Sequence, residues 1–412
     1  MAGRHRRSLI LLATAGALVI GVFLTLFFGL GARYRQLDRA LQIIAHVKLR
    51  YVEPVSGFDL FRSFLRTGTI EGMLSTLHDP YTRYLDPAEY KELKLQTDGT
   101  FGGIGVILSQ NGDRLVIMKV LEDTPGMKAG LRRGDVITAI DGRSTEKMSS
   151  EEAAAAIRGP EGTKVTLTIA RGAGAGEKIF KVTITRAKIE IHSVEWEILE
   201  VPRAGRIAFI TLSQFAERTA SEVEEALRAA DEAGARGVIL DLRYNPGGLL
   251  DAAIEVASEF LNGGVVMYMV ARNHIRKPFY AEPHVRREYP LVILVNQWSA
   301  SASEIVAGAL KDRGVATLVG TKTFGKGVVQ EIIPLSGGGA LSVTVAEYLT
   351  AGGRSINNIG IAPDVVIDRP GVMERAIKSG NPEELQKLDD LQRQRAIEIL
   401  RSELAAPAAA AS

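Results

Sequence analysis

Three serines alternate with alanines in the segment Ser299-Ala-Ser301-Ala-Ser303. The apolar run before them, Leu291–Val295, has the length of a buried strand, and the apolar residues after them recur with helical spacing. A serine at the start of a helix lies beside the positive end of the helix dipole, where backbone N–H groups can stabilise an oxyanion. This order of elements makes Ser301 a candidate nucleophile.

Ser301 also fits a more common role. The spacing Ser301-x-x-Glu304 matches a capping box, in which the serine and the glutamate each satisfy a free N–H group at the helix start. Caps are far more frequent than nucleophiles, so position alone leaves both roles open.

A serine nucleophile needs a base to take its proton. The six histidines are His5, His46, His78, His192, His274 and His284. None stands in a recognisable Ser/His/Asp motif, although such triads are defined in space and not along the chain. Lys326, between Gly325 and Gly327, is the better candidate, because a lysine in an apolar setting loses its proton more easily. The alternative is an ordinary surface lysine.

The same lysine ends a segment, Gly320–Gly327, that nearly matches a phosphate-binding loop. Gly327 stands where that motif has the Ser or Thr that binds magnesium, and the next residues have the pattern of a strand. A phosphate-binding loop requires a helix at that point. We therefore do not expect a nucleotide site.

The serine cluster and the segment FGKGVVQ, residues 324–330, together resemble the carboxyl-terminal processing proteases, also called tail-specific proteases. The resemblance implies that Ser301 is the nucleophile, that Lys326 is its base and that Gln330 orients the lysine. It implies no metal, nucleotide or other cofactor.

A third segment of the resemblance is DLRYNPGG, residues 241–248. It implies an oxyanion hole formed by the N–H groups of Gly247 and Ala302. From about residue 188 to residue 368, strand and helix patterns alternate, which is typical of an α/β domain. The resemblance further implies a crotonase- or Clp-protease-like core, with an inserted or preceding PDZ domain and helical segments at both ends.

Residues 101–186 resemble a PDZ domain, and its peptide-binding loop begins with Phe101, Gly102, Gly103, Ile104 and Gly105. Glycines let successive N–H groups converge on a carboxylate, and the strand that follows can pair with the peptide. The alternative for this loop alone is a glycine-rich hairpin. Its order with the segment GDVITAIDG, residues 134–142, favours the PDZ domain.

Arg158 follows the predicted PDZ helix in a segment similar to the IRG motif of the family. The resemblance makes this arginine a candidate gate that disturbs the lysine or Gln330 until a peptide binds. The alternative is that its charge stabilises the C-terminus of the helix.

The chain has 412 residues, of which 46% are hydrophobic and 24% charged, with a net charge of +2 and no cysteine. These values are typical of globular protein, exclude disulfides and give no case for nucleic-acid binding. We predict five regions. They are a signal anchor (1–31), a helical region (32–95), the PDZ domain (96–186), the peptidase domain (187–370), and a C-terminal helix with a disordered tail (371–412).

Within the helical region, the helical pattern stops at the segment HDPYTRYLDP, residues 78–87. This segment matches a signature that precedes the central domain in the family. By itself it is a polar connector interrupted by prolines. The helices before it can either contact a partner subunit or cover their own domain.

Basic residues at positions 4–7 precede an apolar run from about Leu9 to Leu30 that is long enough to span a bilayer. The run exceeds a usual signal-peptide core and lacks a clear cleavage site, so an uncleaved anchor is favoured over a removed signal peptide. The charge pattern predicts a cytoplasmic N-terminus. The catalytic region would then lie outside the cytoplasm, in a bacterial periplasm or at the exterior of the cell envelope.

Two functions remain open. The first is a membrane-anchored serine endopeptidase that cleaves proteins with apolar C-termini near those ends. The second is a peptide-binding scaffold with an inert peptidase-like domain. Either can form homo-oligomers through its helical termini or receive substrates from an adaptor protein.

Overall fold

The computed structural model describes residues 36–112, 114–172, 177–283, 289–369, 371–372, 375 and 383–405. The predicted signal anchor and the alanine-rich end lie outside these ranges. No helix within the ranges is long and apolar enough to cross a membrane.

The predicted helical region contains four helices and one short strand. These are α1 (residues 36–50), α2 (Gly57–Thr67), α3 (Ile70–Leu74) with a 3-10 turn (Ser75–Leu77), β1 (Arg83–Leu85) and α4 (Pro87–Asp98). Buried side chains of α1, α2 and α3 form one apolar cluster with Leu335, Leu341 and Val343. These three residues lie on or beside two later strands, so the buried face of the helices covers their own chain.

The region that resembles a PDZ domain is a small antiparallel β unit. Its elements are β2 (Thr100–Gly103), β3 (Val106–Asn111), β4 (Arg114–Val120), α5 (Pro125–Lys128), β5 (Val136–Ile140), β6 (Arg143–Ser144), α6 (Ser150–Ile157), β7 (Lys164–Arg171), β8 (Lys178–Thr185) and β9 (Ala187–Glu190). The main sheet has the order β3-β4-β5-β7-β8, with β6 paired to β5, while β2 pairs with β9. Ser149 and Glu152 cap α6 reciprocally, which explains why this helix begins at Ser150.

The remaining chain forms the predicted alternation of strands and helices. Its elements are β10 (Val194–Val201), β11 (Gly205–Leu212), α7 (Thr219–Glu232), β12 (Val238–Asp241), α8 (Leu250–Ser258), β13 (Val265–Ala271), β14 (Arg276–Tyr280), β15 (Leu291–Val295), α9 (Ala302–Asp312), β16 (Ala316–Gly320), β17 (Val328–Pro334), β18 (Ala340–Thr350), β19 (Val365–Val366) and α10 (Glu383–Ala405).

Two sheets organise this part. The first has the order β10-β11-β12-β15-β16-β19 and is parallel from β11 onwards. Side chains of α7, α8 and α9 pack on one face of this sheet, and side chains of α10 pack on the other. The second sheet joins β1, β18, β13 and β14, with β17 paired to β18. Burial on both faces explains why β15 reads as an uninterrupted apolar run.

The carboxyl ends of β12, β15 and β16 lie at one edge of the parallel sheet. Loops at this edge are where open α/β sheets place their functional groups. The three loops that leave it contain the NPGG segment, the serine cluster and Lys326. The fold therefore collects the three motifs that the sequence offers as separate stretches.

Candidate active site

The three serines of the cluster differ in burial and bonding. Ser299 and Ser303 are fully buried. Their hydroxyls donate to the carbonyls of Leu242 (2.8 Å) and Asn245 (2.9 Å), respectively. Ser301 keeps part of its surface exposed. The outer two serines thus tie the cluster to the neighbouring loop, and the middle serine faces the accessible side.

Ser301 has a backbone with a positive φ of 55° and a ψ of −115°, directly before α9. This conformation is unfavourable for a residue with a Cβ, and it persists only where the surroundings impose it. The Ser301 carbonyl accepts a hydrogen bond from the Tyr348 hydroxyl (3.1 Å). A strained residue directly before a helix is also the geometry that exposes the nucleophilic serine of α/β-hydrolases.

The NPGG turn contacts the serine directly. A Cβ added to Gly247 would lie 2.8 Å from Ser301 Cβ and 2.9 Å from the backbone nitrogen of Ala302. Gly247 also has a φ of 101°, so both space and backbone conformation require glycine there.

The amides at this turn are not equally available. Gly247 N–H donates to Asn245 Oδ1 (2.9 Å). In the described part of the chain, the amides of Ala302 and Gly248 donate to no acceptor. The predicted pair of Gly247 and Ala302 is thus brought together, but the Gly247 amide would have to exchange its bond to Asn245 before it could bind an oxyanion.

Glu304 links the two loops that carry the candidate dyad. Its buried carboxylate accepts from the amides of Ser301 (3.0 Å) and Lys326 (2.9 Å) through the same oxygen, Oε2. These two amide nitrogens are therefore no further apart than the sum of those distances. The other oxygen, Oε1, accepts from the Thr323 hydroxyl (2.5 Å) and the Gly325 amide (2.8 Å).

Burial is the main cause that raises the pKa of Glu304, and these hydrogen bonds oppose it. The glutamate half of the predicted capping box is therefore present. It also does more than a helix cap, because it fixes the loop of Lys326 relative to the helix.

Burial lowers the pKa of Lys326, while the negative charges of Asp79 and Glu304 act in the opposite direction. Within the described ranges, its Nζ makes no hydrogen bond or ion pair. It lies 5.0 Å from the centroid of the Tyr81 ring. Lys326 is therefore a partly buried lysine with a lowered pKa, unlike the exposed Lys322 of the same loop.

The segment after Lys326 is strand β17, not a helix. The phosphate-binding geometry considered for Gly320–Gly327 therefore does not form. Gln330 lies on β17 beside a register shift between Val329 and Gln330. Its Nε2 donates to Thr344 Oγ1 (3.4 Å). The expected orienting contact between Gln330 and Lys326 is not formed in this arrangement and stays a prediction.

The candidate peptide-binding residues divide into two groups. Phe101, Gly102 and Gly103 belong to β2 and pair with β9. Ile104 is buried, and Gly105 accepts at its carbonyl from the Leu121 amide (2.9 Å). Of these two groups, only Ile104 and Gly105 lead directly into β3, which is one of the two edge strands of the small sheet.

Arg158 is the residue that follows α6. Its guanidinium bonds Glu92 of α4 (2.6 Å) and lies 5.0 Å from the centroid of the Phe101 ring. The structure thus places it against the helical region and the β2 strand, and does not bring it to Lys326 or Gln330. Its predicted gating role stays a prediction.

Sequence reasoning missed several residues at the site. Arg243 of the DLR segment pairs with Asp241 (2.6 Å) and with Asp389 of α10 (3.1 Å), so the C-terminal helix is tied to the turn before NPGG. Tyr81 comes from the segment that looked like a connector. The match of HDPYTRYLDP to a family signature was the one signal that could have drawn attention to it.

Comparison with known proteins assigns the two parts of the chain. Residues 206–367 match peptidase family S41, and residues 116–171 match a PDZ domain. The carboxyl-terminal-processing protease of Synechocystis sp. is 43% identical over 304 residues, which cover 73% of this chain and 70% of that protein. The carboxy-terminal-processing protease of Bartonella bacilliformis is 38% identical over 343 residues, or 82% of this chain and 76% of that protein.

The fold has solved relatives as well. The photosystem II D1 C-terminal processing protease superposes with a TM-score of 0.51 at 31% identity, covering 81% of this chain and 93% of that one. A putative S41 protease of Bacteroides fragilis superposes with a TM-score of 0.53 at 17% identity, covering 88% of this chain and 97% of that one, a likeness of fold alone.

Fold, motifs and matches define a serine-type peptidase that carries a PDZ domain. This decides between the two functions left open by the sequence, in favour of the enzyme. The chain belongs to the carboxyl-terminal-processing proteases of peptidase family S41.

Proposed function

We propose that the chain cleaves protein substrates near their C-termini with a Ser301/Lys326 dyad. The observation that carries this proposal is the contrast within the serine cluster. Ser299 and Ser303 are buried and hydrogen-bonded, whereas Ser301 is part-exposed, has a positive φ, and is tied through Glu304 to the loop of a partly buried lysine.

In the proposed reaction, the neutral amine of Lys326 removes the proton from Ser301 Oγ as this oxygen attacks the scissile carbonyl carbon. The negative charge that develops on the carbonyl oxygen is stabilised by Ala302 N–H and by an amide of the Gly247-Gly248 turn. When the C–N bond breaks, the ammonium of Lys326 gives its proton to the leaving amine. Water then attacks the acyl-enzyme, and Lys326 accepts a proton from that water and returns one to Ser301.

Digestion of casein tests this assignment. The Ser301→Ala variant should lose all measurable cleavage, since no other hydroxyl of the cluster is free to replace it. Its melting temperature should stay within a few degrees of wild type, because Ser301 is part-exposed. Undiminished cleavage by Ser301→Ala would remove this serine from the reaction.

We further propose that the PDZ domain selects substrates by their apolar C-termini. The strand β3 pairs with β4 on one side, and its other edge faces α6. An extended peptide can add to such an edge through main-chain hydrogen bonds, with its carboxylate at the glycine loop that ends in Ile104-Gly105.

Binding to the full chain of two peptides with the same apolar sequence tests this role. The peptide with a free C-terminal carboxylate should bind at least tenfold more tightly than its amidated form. Equal binding of both would show that the loop does not recognise the terminal carboxylate.

We also propose that residues 1–31 anchor the enzyme in a membrane with its catalytic part outside the cytoplasm. The basic residues before an apolar run of this length support this topology. A reporter fused to the C-terminus should be active only outside the cytoplasm, and added protease should degrade the catalytic part in intact spheroplasts. Full protection there would contradict the proposed orientation.

The same proposal includes a homo-oligomer formed through the helical termini. Leu49, Phe58 and Leu65 are 74%, 73% and 66% exposed on α1 and α2, which supports a second copy as the partner of this surface. Light scattering of the soluble part should then give a mass that falls to that of one chain when Phe58 and Leu65 are replaced by Asp. A single-chain mass for the unchanged protein would remove this contact.

A further inference from the structure

The segment HDPYT, residues 78–82, lies far from the peptidase domain in sequence but reaches the candidate dyad in space. Lys326 Nζ lies over the Tyr81 ring, 5.0 Å from the ring centroid. That Nζ has no hydrogen-bond or ion-pair partner among the described residues, so no polar contact fixes the end of this flexible side chain. A lysine amine over an aromatic face is attracted by the ring quadrupole when it is protonated.

The backbone that carries this ring is held by hydrogen bonds. Asp79 accepts from the Tyr81 amide (2.9 Å) and from the Thr82 hydroxyl (2.6 Å), which closes the turn. The Thr82 oxygen accepts from the Thr344 amide (3.0 Å), and the Tyr81 carbonyl accepts from the Ser342 hydroxyl (3.1 Å). Two contacts with β18 thus fix the turn to the sheet that also carries β17, and β17 begins two residues after Lys326.

We propose that Tyr81 is a positioning residue of the active site, which holds the Lys326 ammonium against the face of its ring and so places it to return its proton to the leaving amine. This inference rests on the proposed role of Lys326 as the base. It makes the HDPYT turn part of the catalytic machinery and not only a connector between the helical region and the β unit.

Charge around the pair agrees with this arrangement. Burial, with Asp79 and Glu304, raises the pKa of Tyr81, so the phenol stays neutral and its ring keeps an electron-rich face. The titratable groups that face Lys326 are Asp79 and Tyr81 from the turn, and Glu304 from α9. Tyr348 of β18 stands close to the same groups and also remains protonated, because its own pKa is raised by burial.

The ring has a predictable effect on titration. It stabilises the ammonium, so its removal should lower the pKa of Lys326 further while burial persists. Activity that requires the neutral amine rises with pH through that pKa. The rising limb of the pH–rate profile should therefore move to lower pH in Tyr81→Leu, by about half a unit for a cation–π contact of ordinary strength.

The experiment compares Tyr81→Leu, Tyr81→Phe and Tyr84→Leu in the full chain, with initial rates of casein cleavage measured across pH. Tyr84→Leu is the matched control, because the Tyr84 ring lies under another cation, Arg39, at 4.9 Å. Tyr81→Leu should lose about tenfold or more in kcat with little change in KM, since placement of the base matters only for proton transfer. Tyr81→Phe retains the ring and should recover most of the loss.

The position of the limb on the pH axis does not depend on the amount of folded enzyme, so it remains readable if Tyr81→Leu is less stable. The proposal is overturned if Tyr81→Leu has the wild-type kcat and limb while Lys326→Arg is inactive. If Lys326→Arg is itself fully active, the proposed dyad fails and not only the role of Tyr81. Equal losses in Tyr81→Leu and Tyr84→Leu, with no shift of the limb in either, would show a merely structural role and also reject the proposal.

Discussion

Ser301 and Lys326 are held at the site in opposite ways. The serine is placed by its backbone, through a turn with positive φ, a glycine packed against it and the dipole of α9. The lysine backbone is held by Glu304, but its amine depends on burial and on the face of Tyr81. Changes in the serine loop should therefore act through the backbone, whereas changes around the lysine should act through protonation and side-chain placement.

The largest effect should come from Lys326→Arg. A guanidinium stays protonated at any working pH and cannot serve as a base, so we expect a loss of about 1000-fold or more in kcat. The matched control is Lys322→Arg, an exposed lysine of the same loop, which should keep wild-type activity. Near wild-type turnover by Lys326→Arg would show that another group accepts the serine proton.

Gly247→Ala should have the next largest effect and should act through the backbone. Its Cβ would meet the Ala300 carbonyl at 2.7 Å and the Ala302 nitrogen at 2.9 Å, in a residue with φ 101°. Displacement of oxyanion donors typically costs about 100- to 1000-fold in rate. Gly263→Ala is the control, since Gly263 has φ 68° and open space around it. It introduces the backbone strain of an alanine at positive φ without a steric clash of the new Cβ. Equal activity of both variants would argue against a role of the NPGG turn.

Glu304→Gln should be intermediate, because it loosens both loops together. The Ser301 and Lys326 amides both donate to one carboxylate oxygen of Glu304. An NH₂ group in the place of that oxygen cannot accept these hydrogen bonds. We expect about a tenfold fall in kcat and a lower melting temperature. Glu222→Gln is the control, since buried Glu222 accepts from the Ser193 hydroxyl (2.9 Å) and amide (2.8 Å) away from the site.

The two variants should lose similar stability, but only Glu304→Gln should lose kcat measured per folded molecule. Retention of full kcat by Glu304→Gln would mean that the carboxylate stabilises the fold without positioning the dyad.

The smallest effect should come from the contact between the PDZ domain and α4. Arg158→Ala and Glu92→Ala each remove the same part-exposed ion pair, and such pairs are worth under about 1 kcal/mol. If this contact holds the PDZ domain in a less active arrangement, both variants should raise activity without added peptide by up to about fivefold, and by the same factor. A rise in Arg158→Ala alone would favour a contact of this arginine with the dyad, and no rise in either would exclude the gate.

The sequence predicted the strand, helix and turn around Ser301 because their geometry is local. The strand Leu291–Val295, the helix after Ser301 and the glycines of NPGG each carry their own structural reason in neighbouring residues. The alternation of strands and helices likewise follows from patterns within single elements. These features needed no knowledge of distant contacts.

The lysine side could not be predicted in the same way. The Tyr81 ring and the Asp79 charge reach Lys326 from a segment that is far away in the chain. The contact of Arg243 with Asp389, beside the NPGG turn, also joins distant residues. All three depend on which face of each element is turned inward. The hydrogen bond between Gly247 and Asn245 is local. The sequence still does not show it, because the same residues could be present whether or not the Gly247 amide has an acceptor. Motif spacing in the sequence therefore indicates candidate residues of the site but not the hydrogen bonds and contacts that they make.

Trapping of the acyl-enzyme tests the central claim most directly. During turnover, an acid quench followed by mass spectrometry should find the acyl group of the substrate on the peptide that contains the serine cluster, and fragmentation should place it on Ser301. The adduct should be absent in Ser301→Ala and strongly reduced in Lys326→Arg at the same pH. An adduct on Ser299 or Ser303, or an undiminished rate of its formation in Lys326→Arg, would contradict the Ser301/Lys326 dyad.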